Sequence, residues 1–208
     1  MQQDTPYVRR FFLDPNNGSD VWAAIRVAYV PIPNKAADAQ SFAALDAWYH
    51  SFDAGRGFIT KTELIEIMRW KLMRGKSRPL MGKIEALSDQ EVQNATKIGI
   101  GLSLISNPDI RGAILAISNP LKGVGPATAS AVLAKCNPHI PFMSDAGLIA
   151  VSGDTKYTIA AYMKYCNGIT EKVRLLNSDG KSAYAWTCRD VEAVLHIVYS
   201  RYDLRVPL

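Results

Sequence analysis

The sequence predicts a mainly α-helical fold, and three observations predict it. Apolar residues return at three- and four-residue steps through most of the chain beyond residue 36, the period of one helix face. Alternating two-residue patterns are scarce, and no internal repeat or low-complexity tract interrupts the pattern. With 208 residues, 48% of them hydrophobic and 21% charged, the chain can bury a full core and is not a disordered tail. One globular domain, or two small interleaved lobes, is expected.

The elements follow in order. Residues 1–35 mix aromatic side chains with the breakers Asp14-Pro15-Asn16-Asn17-Gly18 and Pro31-Ile32-Pro33, and read as an irregular N-terminal arm packing on the helical body around a short apolar segment, Val21 to Val30. The remainder, 36–208, reads as the helical domain. Phe42, Leu45, Trp48 and Tyr49 mark a helix from Ala36 to Phe52. Thr60 with Glu63 has capping-box spacing, and Leu64, Ile67, Met68 and Leu72 form the buried stripe of a helix ending near Gly75. Ser88-Asp89-Gln90-Glu91 opens a helix through about Leu104, Asp109 opens another through Ser118, and Pro126 a third to about Cys136. Further helices are expected near 146–151, 155–166 and 190–202.

Charge and cysteine content narrow the classes of function. Against a net charge of only +5, the window Arg56 to Lys83 holds eight basic residues and two acids, Glu63 and Glu66, so the positive excess is local. A local basic face suits phosphate contact, although the same residues can form a solvated helix face. Cys136, Cys166 and Cys188 are too far apart for a disulfide framework or for the close pairs of zinc and iron–sulfur sites. A reducing compartment, nucleus or cytoplasm, is expected, since no stretch approaches a membrane span and Met1 to Pro15 is too polar for a secretory signal. Gly57-Phe58-Ile59-Thr60-Lys61-Thr62-Glu63-Leu64 matches the second half of an EF-hand loop. The oxygen-donor positions of the first half fall on Phe52, Ala54 and Arg56, which cannot hold Ca²⁺, and a helix start is the better reading. His50, His139 and His196 are scattered without a triad or metal pattern.

The most specific stretch is Leu121-Lys122-Gly123-Val124-Gly125-Pro126-Ala127-Thr128-Ala129-Ser130. Two glycines around Val124 permit positive φ and leave amides uncovered, so a phosphate oxygen can approach. Pro126 suits the first helical position, and the helix it opens points its positive end at the same spot. With the helix Asp109 to Ser118 before it, this is a helix-hairpin-helix over about 109–136, suited to holding a nucleic-acid backbone without reading sequence. An ordinary interhelical turn is the plain alternative. Lys122, Gly123, Val124, Gly125, Ala127 and Thr128 are the phosphate-contact candidates.

The segment resembles the helix-hairpin-helix motif of the DNA glycosylase superfamily that contains the endonuclease-III-like, adenine-mismatch and alkyl-base enzymes. Their hairpin has the form Leu-Pro-Gly-Val-Gly-x-x-Thr-Ala, and a catalytic aspartate follows the second helix. Here Ile140-Pro141-Phe142-Met143-Ser144-Asp145 occupies that place, with Asp145 18 residues beyond Ala127, a spacing common in the family. The resemblance covers about 110–150 and implies a two-lobed helical glycosylase-like fold. It also implies a monomer that binds DNA, double-stranded with a lesion, and needs no cofactor or metal. Family members that cut the backbone carry a lysine where this chain has Ala127, so lyase chemistry through that position is excluded; the four-cysteine iron–sulfur site is absent too. The implied activity is therefore that of a monofunctional glycosylase with Asp145 as catalytic carboxylate; the alternative is a non-catalytic DNA-binding module.

Asp145 can equally be a helix N-cap, since Ser144-Asp145 directly precedes Ala146-Gly147-Leu148-Ile149. An extruded base needs an aromatic or apolar pocket, for which Trp48, Tyr49, Trp70 and Phe142 are candidates, while Lys71, Arg74 and Arg78 can steer phosphates. Trp48 and Trp70 also sit on helical stripes that suit core packing.

Overall fold

The computed structural model describes residues 5–33, 38–51, 55–75, 78–181 and 184–205. Helices dominate, and no strand occurs among the described residues. The chain divides into two compact units, one built from residues 33–142 and the other from both chain ends, Met1–Ile32 with Met143–Leu208.

The central unit holds α3 (Ala39–Ser51), α4 (Lys61–Arg74), α5 (Met81–Glu85), α6 (Asp89–Leu104), α7 (Ile110–Ser118) and α8 (Pro126–Cys136). Its helices start where their side chains can take over unpaired backbone donors. Thr60 accepts from the Glu63 amide while Glu63 returns to the Thr60 amide, and Ser88 with Glu91 repeats the arrangement at α6. Asp109 accepts from the Gly112 amide at 2.8 Å and so opens α7. The expected ends of α4, α6, α7 and α8 stand, whereas the short α5 after Pro79 has no counterpart in the periodicity. The helix expected over 36–52 is described over Ala39–Ser51; Asp38 precedes it as non-helical chain, while Ala36, Ala37 and Phe52, with Ala54 of the EF-hand-like register, lie outside the described residues. Glu63, the terminal acid of that register, is committed to the Thr60 cap and to Arg56.

The other unit contains α1 (Tyr7–Leu13), α2 (Ser19–Val27), α9 (Asp145–Ser152), α10 (Ile159–Ser178), α11 (Cys188–Val198) and a closing π-helical turn, Tyr199–Asp203. The expected irregular N-terminal arm is thus two helices joined by the Asp14–Gly18 breakers. What stabilises them comes from far along the chain. The Asp203 carboxylate accepts from the Tyr7 and Val8 amides at 2.7 and 2.9 Å, and Asp179 accepts from the Ser19 amide and hydroxyl, each at 2.6 Å. Arg26 pairs with Asp190 at 3.0 Å, and His196 Nε2 donates to the Ile32 carbonyl at 2.9 Å. Phe11, Phe12 and Trp22 are buried, with Trp22 set edge-on to Trp186 at 6.3 Å. Residues 5–32 therefore belong to a core shared with the C-terminal helices. The helix expected to stop near 166 continues to Ser178.

Candidate functional site

The hairpin between α7 and α8 is built from its glycines outward. Gly123 has φ +94, a left-handed backbone that L side chains rarely adopt, and a Cβ there would lie 2.7 Å from Cβ of Lys83 in α5. The turn closes with the Val124 amide donating to the Leu121 carbonyl at 3.0 Å, and Leu121 and Val124 bury their side chains. Gly125 is different. Its φ of −98 is open to any residue, it is exposed, and nothing lies within 4 Å of where its Cβ would stand. No side chain caps α8, and among the described residues nothing accepts a hydrogen bond from the Gly125 or Ala127 amides.

This geometry corrects two of the six phosphate-contact candidates. Val124 spends its amide on the turn, and Thr128 spends its own on the Gly125 carbonyl at 3.0 Å while its hydroxyl is buried against Met68 Sδ at 4.0 Å. Both hold the hairpin together. Gly125 supplies an exposed amide without a partner among the described residues, Gly123 the turn, and Lys122 an exposed cation, while Ala127 is buried. Lys83, the last residue of the basic window, joins them because its side chain starts directly over Gly123 and is exposed. The window marked Lys83 as basic; its place beside the hairpin depends on α5, which the periodicity misses.

Several other candidates turn inward. Tyr49 and Trp70 stack at 3.7 Å with planes 5° apart, Phe142 tilts against Trp70 at 5.0 Å, and all three are buried. Trp70 Nε1 donates to the buried Asp46 carboxylate at 2.8 Å, and the Tyr49 hydroxyl donates to the Ala131 carbonyl at 2.8 Å. Arg74 is buried too, its guanidinium 4.9 Å from the Trp70 ring centre and 5.6 Å from that of Phe142. With Lys135 at 5.7 Å from the Tyr49 centre, the stack carries a cation toward each end. Faces an extruded base would need are therefore occupied by the protein's own groups, and Arg74 belongs to this core instead of steering phosphates. Trp48 and Lys71 are half-buried and Arg78 is exposed. In the rest of the basic window, Arg56 pairs with Glu63 and Arg69 with Glu66, which removes two of its cations from ligand duty.

Asp145 stands in the first turn of α9, half-buried. The cap is Ser144, whose hydroxyl accepts from the Gly147 amide at 3.2 Å, so Asp145 does not serve as the N-cap. At that position its negative charge faces the positive end of the helix. The Tyr199 phenol is held above its usual range by burial first and then by the charges of Asp145 and Asp203. At the opposite end of α9, Arg9 donates to the Ala150 carbonyl at 3.0 Å.

Among the described residues no cluster of His, Cys, Asp and Glu could hold a metal ion, and no helix is long and apolar enough to cross a membrane. Compared with known proteins, the chain matches no family model, no curated protein and no solved structure.

Proposed function

We propose that this chain binds DNA through the α7–α8 hairpin and acts as a monofunctional DNA glycosylase with Asp145 as its catalytic carboxylate. The observation that carries the reading is the exposed amide of Gly125, without a partner among the described residues at the uncapped start of α8, beside exposed Lys83 and Lys122. A phosphate diester supplies what such a place lacks: oxygen acceptors, negative charge and a shape that passes an exposed glycine. Contacts of this kind hold a strand without reading its bases.

In the reaction the C1′–N bond breaks, water adds hydroxyl to the sugar carbon, and the base leaves with the proton. Positive charge builds on the sugar ring as the bond lengthens. A carboxylate beside it stabilises that charge or takes the proton of the attacking water, effects worth several kcal/mol in a site shielded from solvent. Asp145 enters this role through the resemblance and its chain position after the hairpin.

The test is base release from duplexes carrying uracil, alkylated, oxidised or mismatched bases, together with DNA binding across a salt series. Wild type is expected to release at least one base, with binding that weakens steeply as salt rises. Asp145→Asn, which keeps the shape and removes the charge, is expected to bind within about twofold of wild type while losing more than about 100-fold in release. If wild type releases nothing, the catalytic part is lost and a non-catalytic DNA-binding module stands; if DNA is not retained even at low salt, both are lost.

A further inference from the structure

In the unit built from the chain ends, α1 packs against the closing π-helical turn. After Val198 the helix widens, the Leu204 amide donating five residues back to the Tyr199 carbonyl at 3.0 Å, so Tyr202 and Asp203 leave the register of α11. Asp203 takes the Tyr7 and Val8 amides, and Tyr202 stacks on Tyr7 with ring centres 4.4 Å and planes 27° apart. A stacked aromatic pair belongs by its apolar area to a core, and the Tyr49–Trp70 pair of the central unit is buried in one. Tyr7 and Tyr202 are instead 38% and 55% exposed.

The charge beside the pair is the second observation. The Arg10 guanidinium lies 5.6 Å from the Tyr7 ring centre, and Arg201 and Arg205 stand within three residues of Tyr202. Other arginines of this unit are committed: Arg26 pairs with Asp190, Arg174 with Glu171, and Arg9 donates to the Ala150 carbonyl. Among the described residues no carboxylate pairs with Arg10, Arg201 or Arg205, and Arg10 and Arg205 are exposed. Asp203, the acid of the turn, is committed to the two α1 amides. Cations without ion-pair partners therefore gather where the aromatic faces are open.

We infer that the Tyr7–Tyr202 pair, with Arg10, Arg201 and Arg205, is a binding ledge for single-stranded nucleic acid, an unpaired base stacking on Tyr202 while the arginines hold neighbouring phosphates. The combination of groups selects the partner. An acidic peptide uses the arginines and leaves the rings idle, and a proline-rich peptide uses the rings and leaves the arginines idle. A strand of unpaired nucleotides uses both, its bases offering flat faces and its phosphates negative charge. A paired base has both faces covered by its neighbours, so an exposed ring takes unpaired bases and not an intact duplex. The ledge is set before the strand arrives, because the two Asp203 hydrogen bonds fix Tyr7 to the turn that carries Tyr202, which lowers the ordering cost of binding. It lies in the unit that does not hold the hairpin and stands independently of the proposed glycosylase chemistry.

The experiment is fluorescence anisotropy of the full chain with two labelled probes across a salt series: an oligo-dT of about 12 nucleotides, and an abasic strand of the same length that keeps the phosphodiesters and lacks the bases. Wild type is expected to hold oligo-dT more tightly than the abasic strand. Tyr202→Ala is expected to weaken oligo-dT binding about 5- to 100-fold and abasic binding less than about twofold. Tyr202→Phe keeps the ring and is expected to stay within about twofold of wild type on both probes. Arg205→Gln, at an exposed position, is expected to weaken both and to lower the salt slope by about 0.7. Gly125→Ala, at the hairpin, is expected to leave the ratio between the probes unchanged, so failure of either reading shows separately. A wild type that does not hold oligo-dT at low salt, or holds it no better than the abasic strand, overturns the inference and leaves the ledge to a protein partner. Tyr202→Ala equal to wild type on oligo-dT overturns it too, as does an equal loss on both probes, which marks a loosened α1 and not a lost stack.

Discussion

Two glycines one residue apart in the hairpin have different physical reasons for being glycine, and substitution separates them. Gly123→Ala forces a methyl group into a left-handed backbone and against Lys83 Cβ, 2.7 Å away. A loss of about 1–3 kcal/mol in unfolding free energy is expected by chemical denaturation. Gly125→Ala meets neither obstacle, so its stability is expected to stay within about 0.5 kcal/mol of wild type or rise. On the proposed DNA-binding reading its methyl group stands beside the exposed Gly125 amide, and DNA retention at low salt is expected to fall about tenfold. A variant equal to wild type in both measurements removes Gly125 from the proposed interface. The Tyr49–Trp70 pair shows the other side of residue-scale reading: helical periodicity placed both rings on a buried stripe, but only three-dimensional packing reveals that each already has a stacking partner.

Individual helices obey the sequence where their ends are local. Thr60 with Glu63 and Ser88 with Glu91 are complete capping boxes within four residues, so α4 and α6 were legible at both ends. Thr60→Ala and Ser88→Ala are each expected to cost about 1 kcal/mol by denaturant melts. Hydrogen bonds from Ser88 hold the Glu91 carboxyl below its ordinary 4.5. That contribution is present above the ordinary value and is lost as pH falls through the lower native value, so Glu91→Gln is expected to flatten the acid side of the stability profile. Where helix ends are satisfied over long chain distances, reading fails. The starts of α1 and α2 rest on Asp203 and Asp179, about 196 and 160 residues away, and without them Asp14-Pro15-Asn16-Asn17-Gly18 reads as irregular chain. α9 lies between these cases. Its start was visible near Ser144-Asp145, but which of the two caps it was decided by the Ser144 hydroxyl reaching the Gly147 amide, a choice spacing cannot make.

At the scale of the unit made from the two chain ends, burial raises the native pKa values of several groups, and this sets an alkaline sensitivity in that unit. Burial pushes the Cys166 thiol up to about 12 and the Cys188 thiol up to about 11 from an ordinary 9.0, and it drives the Tyr162 phenol above its usual range. The native state keeps these protons while the unfolded chain releases its own from about pH 9. Their stabilisation is therefore complete below that pH and is lost as pH climbs toward 11 and 12, at about 1.4 kcal/mol per pH unit for each thiol. In the central unit, Asp38 and Glu91 are carboxylates with lowered values, which act at the acid end. Denaturant midpoints measured from pH 8 to about 11 are expected to fall. A Cys166→Ala, Cys188→Ala chain is expected to show a flatter decline over the same range, and equal slopes in the two chains would place the alkaline sensitivity elsewhere. The two thiols are also expected to resist alkylation at neutral pH, leaving half-buried Cys136 to react first, with labelling of the other two rising only as this unit opens.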